Sequence, residues 1–160
     1  MRDDDFERLY AAHAGPLLAF LVYRTGDRAL AEDVVADTFE RVLRKRFRFD
    51  PRRGSEKTWL YAIALNLARD QMRRRRAEER ALERSMAAVP AGGSPLEAVD
   101  DRATLASALD CLSAVERDAI ALRFGADLTV PEIAEITGEK LSTIEGRVYG
   151  GLKKLRARLR

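Results

Sequence analysis

The sequence predicts an all-α fold with two small helical domains joined by a flexible linker. Apolar residues recur at spacings of three and four along most of the chain, and the two-residue alternation of β-strands does not occur. This helical period is interrupted once, where prolines, glycines and small residues gather from Met86 to Asp101. Such a composition is typical of a linker. We therefore expect a first domain over residues 1–84, a linker over 85–101 and a second domain over 102–160.

The composition is that of a soluble globular chain. Hydrophobic residues make up 46% of the sequence and charged residues 34%, so a core can form beneath a strongly ionised surface. No apolar run approaches the roughly 20 residues that cross a bilayer. The acidic beginning of the chain is also unlike a secretory signal. These features predict a cytoplasmic protein that does not insert into a membrane.

The net charge of +3 is distributed in four alternating blocks. Residues 1–43 carry −4, residues 44–84 carry +8, residues 85–135 carry −6 and residues 136–160 carry +5. Each half of the chain thus combines an acidic block with a basic one. Basic blocks of this size are typical of phosphate-binding surfaces, and the acidic blocks predict a second kind of partner.

The first domain is expected to begin with two helices. The segment "GPLLAFLVYRTGD" predicts a short helix with Pro16 in its first turn and Gly26 at its end. Asp27 is then the expected N-cap of a second helix. The inner face of that second helix is formed by Ala31, Val34, Val35, Phe39, Val42 and Leu43.

The outer face of the second helix is acidic. Asp33 and Asp37 lie one turn apart, where two carboxylates repel mildly, so a binding role for this pair requires cations from elsewhere. Ordinary solvent-exposed acids and a docking surface for a basic partner both remain open from the residues alone.

The third helix combines aromatic, amide and basic side chains. It follows a loop with Pro and Gly, and Ser55 is its expected N-cap. Its aromatic and amide residues Trp59, Tyr61 and Asn66 lie among many cations. A protein that binds single-stranded nucleic acid needs aromatic rings that stack on bases, polar groups that bond base edges and cations that bind phosphates. Core positions would suit the two aromatic residues equally well, and an arginine run also fits a solvated helix face.

Capping boxes mark three helix starts in the second domain. The pairs are Ser113 with Glu116, Thr129 with Glu132 and Ser142 with Glu145. With Gly125 and Gly138 as stops, they predict helices of about 11, 8 and 15 residues. The last two helices, separated by a short turn, form a helix-turn-helix.

The final helix has an apolar face and a polar face. Its inner stripe is formed by Ile144, Val148, Leu152, Leu155 and Leu159. The opposite surface, formed by Glu145, Gly146, Tyr149, Gly150 and Lys153, would face the major groove. Each of its glycines costs roughly 1 kcal/mol relative to alanine in a helix interior. We therefore expect close approach of this helix to DNA or to a partner.

Residues suited to catalysis or metal binding are scarce. His13 is the only histidine and Cys111, among apolar neighbours, is the only cysteine. The sequence has no Cys or His cluster and no glycine-rich phosphate loop. We expect no enzymatic activity, no cofactor and no metal. A free-standing helix-turn-helix regulator and a protein-interaction adaptor remain alternatives to a chain that binds both duplex and single-stranded DNA.

Taken in order, these motifs resemble the bacterial sigma factors of the extracytoplasmic-function (ECF) type, the minimal members of the sigma-70 family. "LLAFLVYRTGDRALAEDVVADTFERVLR" and "FDPRRGSEKTWLYAIALNLARDQMRRRR" resemble sigma domain two, and "LDCLSAVERDAIALRFGADLTVPEIAEITGEKLSTIEGRVYGGLKKLRARL" is similar to domain four. The resemblance covers nearly the whole chain. It implies binding to core RNA polymerase and promoter DNA, a role in transcription initiation, and an anti-sigma factor as a further partner.

The resemblance also implies roles for individual residues. The second helix would dock on the clamp-helix coiled coil of the largest polymerase subunit through Asp33, Asp37, Glu40 and Arg41. The nontemplate strand of the minus-ten element, with one base flipped out, would be held by Arg48, Arg52, Arg53, Lys57, Trp59, Tyr61, Asn66 and Arg73. The minus-thirty-five duplex would be bound by Ser142, Thr143, Glu145, Gly146, Arg147, Tyr149, Gly150, Lys153 and Lys154.

Two positions of the final helix depart from the family pattern. Glu145 and Gly150 stand where a lysine and an arginine are common. As the third residue after Ser142, Glu145 is expected to complete the capping box instead. We therefore expect the helix to be positioned through Arg147, Lys153, Lys154 and phosphates more than through side-chain reading of bases.

Overall fold

The structure, a computed structural model, describes residues 1–85 and 108–159. These residues form six α-helices and no strand, which confirms the all-α class. The helices are α1 (Asp3–Thr25), α2 (Arg28–Lys45), α3 (Glu56–Ser85), α4 (Ala114–Ile120), α5 (Val130–Thr137) and α6 (Leu141–Leu159). A 3-10 turn (Arg46–Arg48) follows α2, and a π-helical turn (Ala121–Gly125) continues α4. The predicted linker lies outside the described residues except for Ser85. Within the described ranges, no helix is long and apolar enough to span a membrane.

Helix α1 is longer than the sequence predicted. It runs for 23 residues, with Pro16 in its interior, so the prediction of a short helix with Pro16 in its first turn is wrong. Proline removes one backbone donor, but Pro16 and Ala12, whose carbonyl loses that bond, are both exposed to solvent. The buried side chains of Leu9 and Leu17 keep the two halves on one core. Gly26 ends the helix with a φ of 71°, as expected.

Local caps fix the starts of α2 and α3. The Asp27 carboxylate accepts a hydrogen bond from the Leu30 amide at 3.2 Å, and the Ser55 hydroxyl accepts one from the Thr58 amide at 3.1 Å. Both predicted caps are therefore confirmed. Four of the six residues predicted for the inner face of α2 are buried, whereas Val35 is half-buried and Leu43 is exposed.

The helices of residues 108–159 confirm two of the three predicted capping boxes. Ser113 with Glu116 and Thr129 with Glu132 cap α4 and α5 reciprocally. The third prediction is wrong, because α6 already begins at Leu141 and Ser142 lies within its first turn. The Lys140 carbonyl, not a side chain of the predicted box, accepts from the amides of Thr143 and Ile144 at 3.0 and 3.1 Å.

Tight packing explains one of the glycines in α6. Gly151 is buried against α4, and a Cβ there would lie 2.9 Å from Ile120 Cγ1. A Cβ at Gly150 would make only an ordinary contact with Glu116, 3.7 Å away, and one at Gly146 would meet open space. The close approach expected of these glycines is thus made at Gly151, to a neighbouring helix of the same chain. Leu159, predicted to be on the inner stripe, is 53% exposed.

Residues 1–85 and residues 108–159 share a continuous apolar core. Its buried members from residues 1–85 include Phe20, Leu21, Leu60 and Tyr61, and those from residues 108–159 include Ala121, Leu122, Leu128, Ile133 and Ile144. A Cβ at Gly125 would lie 3.7 Å from the Phe20 ring, so the π-helical turn rests directly on α1. The two predicted domains are therefore packed against each other through apolar side chains.

Candidate polymerase and nucleic-acid interfaces

The outward face of α2 carries the residues predicted to bind polymerase. Asp33, Asp37, Glu40 and Arg41 are all exposed, and helical spacing places them on neighbouring turns. Glu40 pairs with Arg44 one turn later. Asp37 accepts a hydrogen bond from the Gln71 amide at 2.8 Å. Because Gln71 is neutral, this bond orients the carboxylate without neutralising its charge.

Cations of α3 border this acidic face. Arg75 pairs with Asp27, and that hydrogen bond, more than any other contact, holds the pKa of Asp27 below its ordinary value. Asp33 lines a surface cleft together with Gln71, Arg74 and Arg75. Two arginines of α3 thus border the same cleft as Asp33, beside the acidic face of α2.

The loop between α2 and α3 forms one wall of a cleft with Trp59. The Trp59 ring lies 5.3 Å from the Phe49 ring, tilted by 47°. The cleft has a volume of about 250 Å³, and Arg53, Ser55 and Thr58 also line it. The cations predicted for this region, Arg48, Arg52 and Arg53, are exposed, while Lys57 is half-buried. An aromatic face, hydroxyl groups and cations therefore meet at a site that has room for a base.

One face of α3 continues this surface. Trp59, Asn66 and Arg73 follow one another at intervals of seven residues, so they lie on the same side of the helix. Asn66 and Arg73 are exposed. Gln71 and Arg75, which meet α2, lie on a different face. We refer to this stripe together with the cleft as the minus-ten surface.

Tyr61 does not belong to the minus-ten surface. Its side chain is fully buried, and its ring packs edge-on against Phe20 with centroids 5.7 Å apart. Its hydroxyl has no protein partner, and burial raises the pKa of Tyr61 to about 12. The prediction that Tyr61 contacts DNA is therefore wrong, because tertiary packing has made it a core residue.

The exposed face of α6 carries the residues predicted for the minus-thirty-five duplex. Ser142, Glu145, Gly146, Tyr149 and Lys153 are all exposed, and Thr143 and Gly150 are half-buried. Tyr149 is 72% exposed, although it is one of the larger apolar side chains. On the opposite side, Ile144 is fully buried and belongs, with Ile133 of α5, to the shared core. The helix-turn-helix thus presents one side of α6 to solvent, as predicted.

Carboxylates engage two cations of α6. Arg147 lies 3.4 Å from Glu139, and Lys154 lies 2.7 Å from Glu116. The hydrogen bond from Lys154 is the main reason why the pKa of Glu116 lies below its ordinary value. Lys153 is exposed on the same helix. Contact of Arg147 or Lys154 with phosphate would therefore require exchange of an internal ion pair.

Helix α5 forms part of the wall of the cleft in the minus-ten surface. Glu135 and Ile136 complete its lining. The Glu135 carboxylate lies against Gly54, where a Cβ would be 3.0 Å from its Cδ atom. Sequence reasoning missed this wall, because it depends on contacts between residues about 80 positions apart.

A buried carboxylate was also missed by sequence reasoning. Asp118 of α4 is 4% exposed and pairs with Arg24 of α1 and Arg69 of α3. The available signal was an acidic residue within the otherwise apolar run that follows Arg117. Such a residue is rarely buried unless it is paired.

Comparison with known proteins agrees with this geometry. Residues 9–78 match the family model for Sigma-70 region 2, and residues 108–157 match the model for Sigma-70 region 4. The chain is 34% identical over 155 residues to the RNA polymerase sigma factor CarQ of Myxococcus xanthus, and the match covers 96% of this chain and 88% of CarQ.

Solved structures give the same result for the fold. The sigma factor RpoE of Bartonella quintana, in complex with the anti-sigma factor NepR, is 28% identical, with a TM-score of 0.78 over 97% of this chain and 96% of RpoE. CnrH, in complex with the cytosolic domain of CnrY, is also 28% identical, with a TM-score of 0.73 over 99% of this chain and 89% of CnrH. Both regions, their order and the full-length match to CarQ lead to one conclusion: the chain belongs to the sigma-70 family of RNA polymerase sigma factors, in its ECF group.

Proposed function

We propose that this sigma factor docks on core RNA polymerase through α2 and captures the melted minus-ten strand on the minus-ten surface, while α6 binds the minus-thirty-five duplex. As a sigma factor the chain directs promoter recognition and initiation together with core polymerase, which a free-standing regulator does not. The proposal assigns no enzymatic activity and no cofactor to the chain, and it places the protein in the cytoplasm, where transcription occurs. Residues 1–84 and 102–160 serve as its two functional domains.

One observation carries the proposal: two chemically opposite surfaces occupy different sides of the same helical unit. The acidic face of α2, with Asp33 and Asp37 exposed, suits a basic protein partner. The minus-ten surface combines Trp59, Asn66 and exposed arginines, which suits bases and phosphates. A protein that binds polymerase and single-stranded DNA at the same time requires this separation.

The structural neighbours support an additional partner. RpoE and CnrH were each solved with a second protein, which for RpoE is the anti-sigma factor NepR. The present chain matches both over nearly its whole length. We therefore extend the proposal to an anti-sigma factor that holds the chain in the arrangement described above.

Charge reversal on α2 tests the docking role. Asp33→Lys together with Asp37→Lys is expected to abolish co-purification with core polymerase, because two desolvated charge pairs would become repulsive. The matched control, Asp4→Lys with Glu7→Lys, makes the same charge change at exposed positions of α1 and should bind normally. Holoenzyme formation at normal affinity by the α2 variant would refute the assignment.

A further inference from the structure

The last part of α3 extends beyond the core. Ala68 is the last buried residue of this helix, and every residue from Arg73 to Ser85 is exposed. At 1.5 Å per residue, this exposed part, which we call the arm, is about 18 Å long. A polar helix of this length is marginal in water by itself. Burial therefore does not determine which side chains the arm carries, and its charge pattern is the informative feature.

The arginines of the arm continue the line of the minus-ten surface. Trp59, Asn66 and Arg73 follow one another at intervals of seven residues, and Arg80 comes next at the same interval. Arg84 follows one turn later on the same side of the helix. The acids of the arm lie to either side of this line, at Glu78, Glu79 and Glu83. The line thus reaches from the cleft to the end of α3.

The distal arginines of the line keep their charge. Arg75, on the opposite side of the helix, pairs with Glu79 at 3.8 Å. Arg80 Nε donates a hydrogen bond to the Arg76 backbone carbonyl at 3.3 Å, which leaves the guanidinium charge in place. Neither Arg80 nor Arg84 has a carboxylate partner among the described residues. Contact of these two arginines with an anion would therefore require no exchange of an internal ion pair.

The chemistry of the line changes along the helix. Trp59 offers a ring and Asn66 an amide, which suit an unstacked base. Beyond Arg73 the line has cations but neither a ring nor an amide. An intact duplex keeps its bases stacked inside and presents phosphates, which cations bind without reading sequence. The line is therefore suited to a melted strand at one end and to a duplex at the other.

We propose that Arg80 and Arg84 bind backbone phosphates of the promoter duplex between the two elements, next to the minus-ten element. The inference rests on the proposed function, because it takes Trp59 and Asn66 as the strand-binding end of the line. From Asn66 to Arg84 the helix spans about 27 Å, which corresponds to about eight base pairs of duplex. Both arginines lie beyond the residues that match Sigma-70 region 2, which end at residue 78.

The position of the other DNA-binding helix determines which duplex follows the arm. Helix α6 binds the minus-thirty-five element in the proposed function, so the duplex between the two elements is held by this chain at both of its ends. A contact to its phosphates fixes the direction in which the duplex leaves the minus-ten surface and adds affinity that does not depend on sequence.

The test compares two promoter templates bound by holoenzyme. Both carry the minus-ten element as a melted strand and lack the minus-thirty-five element. One has no duplex upstream, and the other continues upstream for about 12 base pairs, more than the arm can span. Wild-type holoenzyme should bind the longer template more tightly. Arg80→Ala with Arg84→Ala should lose about fivefold on the longer template and nothing on the shorter one, as expected for two exposed ion pairs.

Salt dependence provides a second readout of the same contact. Each phosphate that a cation neutralises contributes about 0.9 to the slope of log affinity against log salt concentration. On the longer template, Arg80→Ala with Arg84→Ala should therefore reduce the slope by about 2. Arg80→Lys with Arg84→Lys keeps both charges and should keep the wild-type slope.

A relocated arginine serves as the matched control. Arg80→Leu with Leu82→Arg keeps composition and net charge but moves one cation to the opposite side of the arm, where Leu82 is 62% exposed. It should bind the longer template as weakly as Arg80→Ala alone. Alanine and leucine are strong helix formers, so these variants should keep their helix content, which circular dichroism measures.

The outcomes decide the proposal. Equal binding of both templates by the wild type, or a wild-type preference retained by Arg80→Ala with Arg84→Ala, overturns it. Wild-type binding by the relocated variant would mean a general attraction by net charge and also overturns it. The same loss on a template extended downstream instead would overturn the placement on the upstream duplex.

Failure of the proposed function is read separately. Trp59→Ala should weaken binding to both templates by the same factor, because both contain the melted strand. If Trp59→Ala has no effect on either template, the minus-ten assignment fails, while the comparison of the two templates still decides whether the arm contacts duplex DNA.

Discussion

The two candidate DNA-binding surfaces differ in how they are built and in how far they are open to solvent. The α6 surface lies on one helix, and six of its nine predicted residues are exposed. The minus-ten surface combines a loop, a turn and a helix of region 2, and α5 adds Glu135 and Ile136 to its cleft. The first surface therefore depends on the fold of a single helix, whereas the second depends on contacts between distant parts of the chain.

The largest effect is expected from truncation of the minus-ten surface. Trp59→Ala should reduce open-complex formation about 5- to 150-fold, since loss of base stacking costs about 1–3 kcal/mol. Asn66→Ala, two turns further along α3, should act in the same direction. Permanganate footprinting of the melted promoter measures this step directly.

A premelted bubble template serves as the control for Trp59→Ala and Asn66→Ala. It should rescue part of the defect, because melting is then supplied in advance. An equal loss on duplex and bubble templates, together with a lower melting temperature of the protein, would instead mean that these side chains act only in folding.

A matched pair of glycine substitutions in α6 tests the packing of region 4. Gly151→Ala should lower the free energy of unfolding by about 1–3 kcal/mol, because its Cβ would meet Ile120 at 2.9 Å in a well-packed contact. Gly146→Ala should raise it by up to about 1 kcal/mol, because that site is open and helical. Urea unfolding measures both values, and the same sign for both would contradict the packing described for α6.

Tyr61→Phe distinguishes the core from the minus-ten surface. Promoter opening should be unchanged, because Tyr61 is buried, and stability at pH 7 should be equal or slightly higher, because an unpaired hydroxyl is removed. The pKa of Tyr61 is raised to about 12 by burial, so its neutral form is favoured in the folded state. Relative to Tyr61→Phe, the wild type therefore keeps its full stability below the unfolded pKa of about 10 and loses stability as pH rises from there through about 12.

The free energy of unfolding, measured as a function of pH between about 10 and 12, compares the wild type with Tyr61→Phe. The wild type should lose stability relative to Tyr61→Phe as the solution becomes more alkaline. A defect of Tyr61→Phe in promoter opening would instead restore the DNA-binding role that the sequence predicted.

The smallest effect is expected at Glu145. Because α6 begins at Leu141, Glu145 is an exposed residue of the helix and is not part of a capping box. Glu145→Gln should leave the melting temperature unchanged and leave minus-thirty-five binding equal or slightly stronger, since one negative charge near phosphate is removed. Electrophoretic mobility shift against a panel of promoter variants measures both affinity and preference. Loss of sequence preference would identify Glu145 as a reader of bases, such as a cytosine amino group.

Features set by local sequence could be predicted, and features set by distant contacts could not. The caps at Asp27, Ser113 and Thr129 depend on residues three positions apart, and all three form. The start of α1 was misplaced because burial of Leu9 and Leu17 outweighs the local signal of Pro16. Packing against other helices likewise determines that Trp59 borders a cleft and that Tyr61, two residues later, is buried.

The interface between the regions shows the limit of sequence reasoning most clearly. Asp118 and Arg24 are 94 positions apart, and no local sequence pattern at either residue predicts that they pair. The alternating charge blocks predicted that acidic and basic surfaces would serve different partners. The structure adds that one acid of region 4 is used inside the chain, against two arginines of region 2.

The central claim, that the cleft beside Trp59 receives a base of the melted strand, can be tested through the only tryptophan of the chain. Trp59 lines that cleft, so acrylamide quenching of its fluorescence reports directly on occupancy of the site. We predict that a single-stranded oligonucleotide with the minus-ten sequence reduces the quenching of Trp59. Equal quenching with and without a saturating amount of this oligonucleotide would contradict the account.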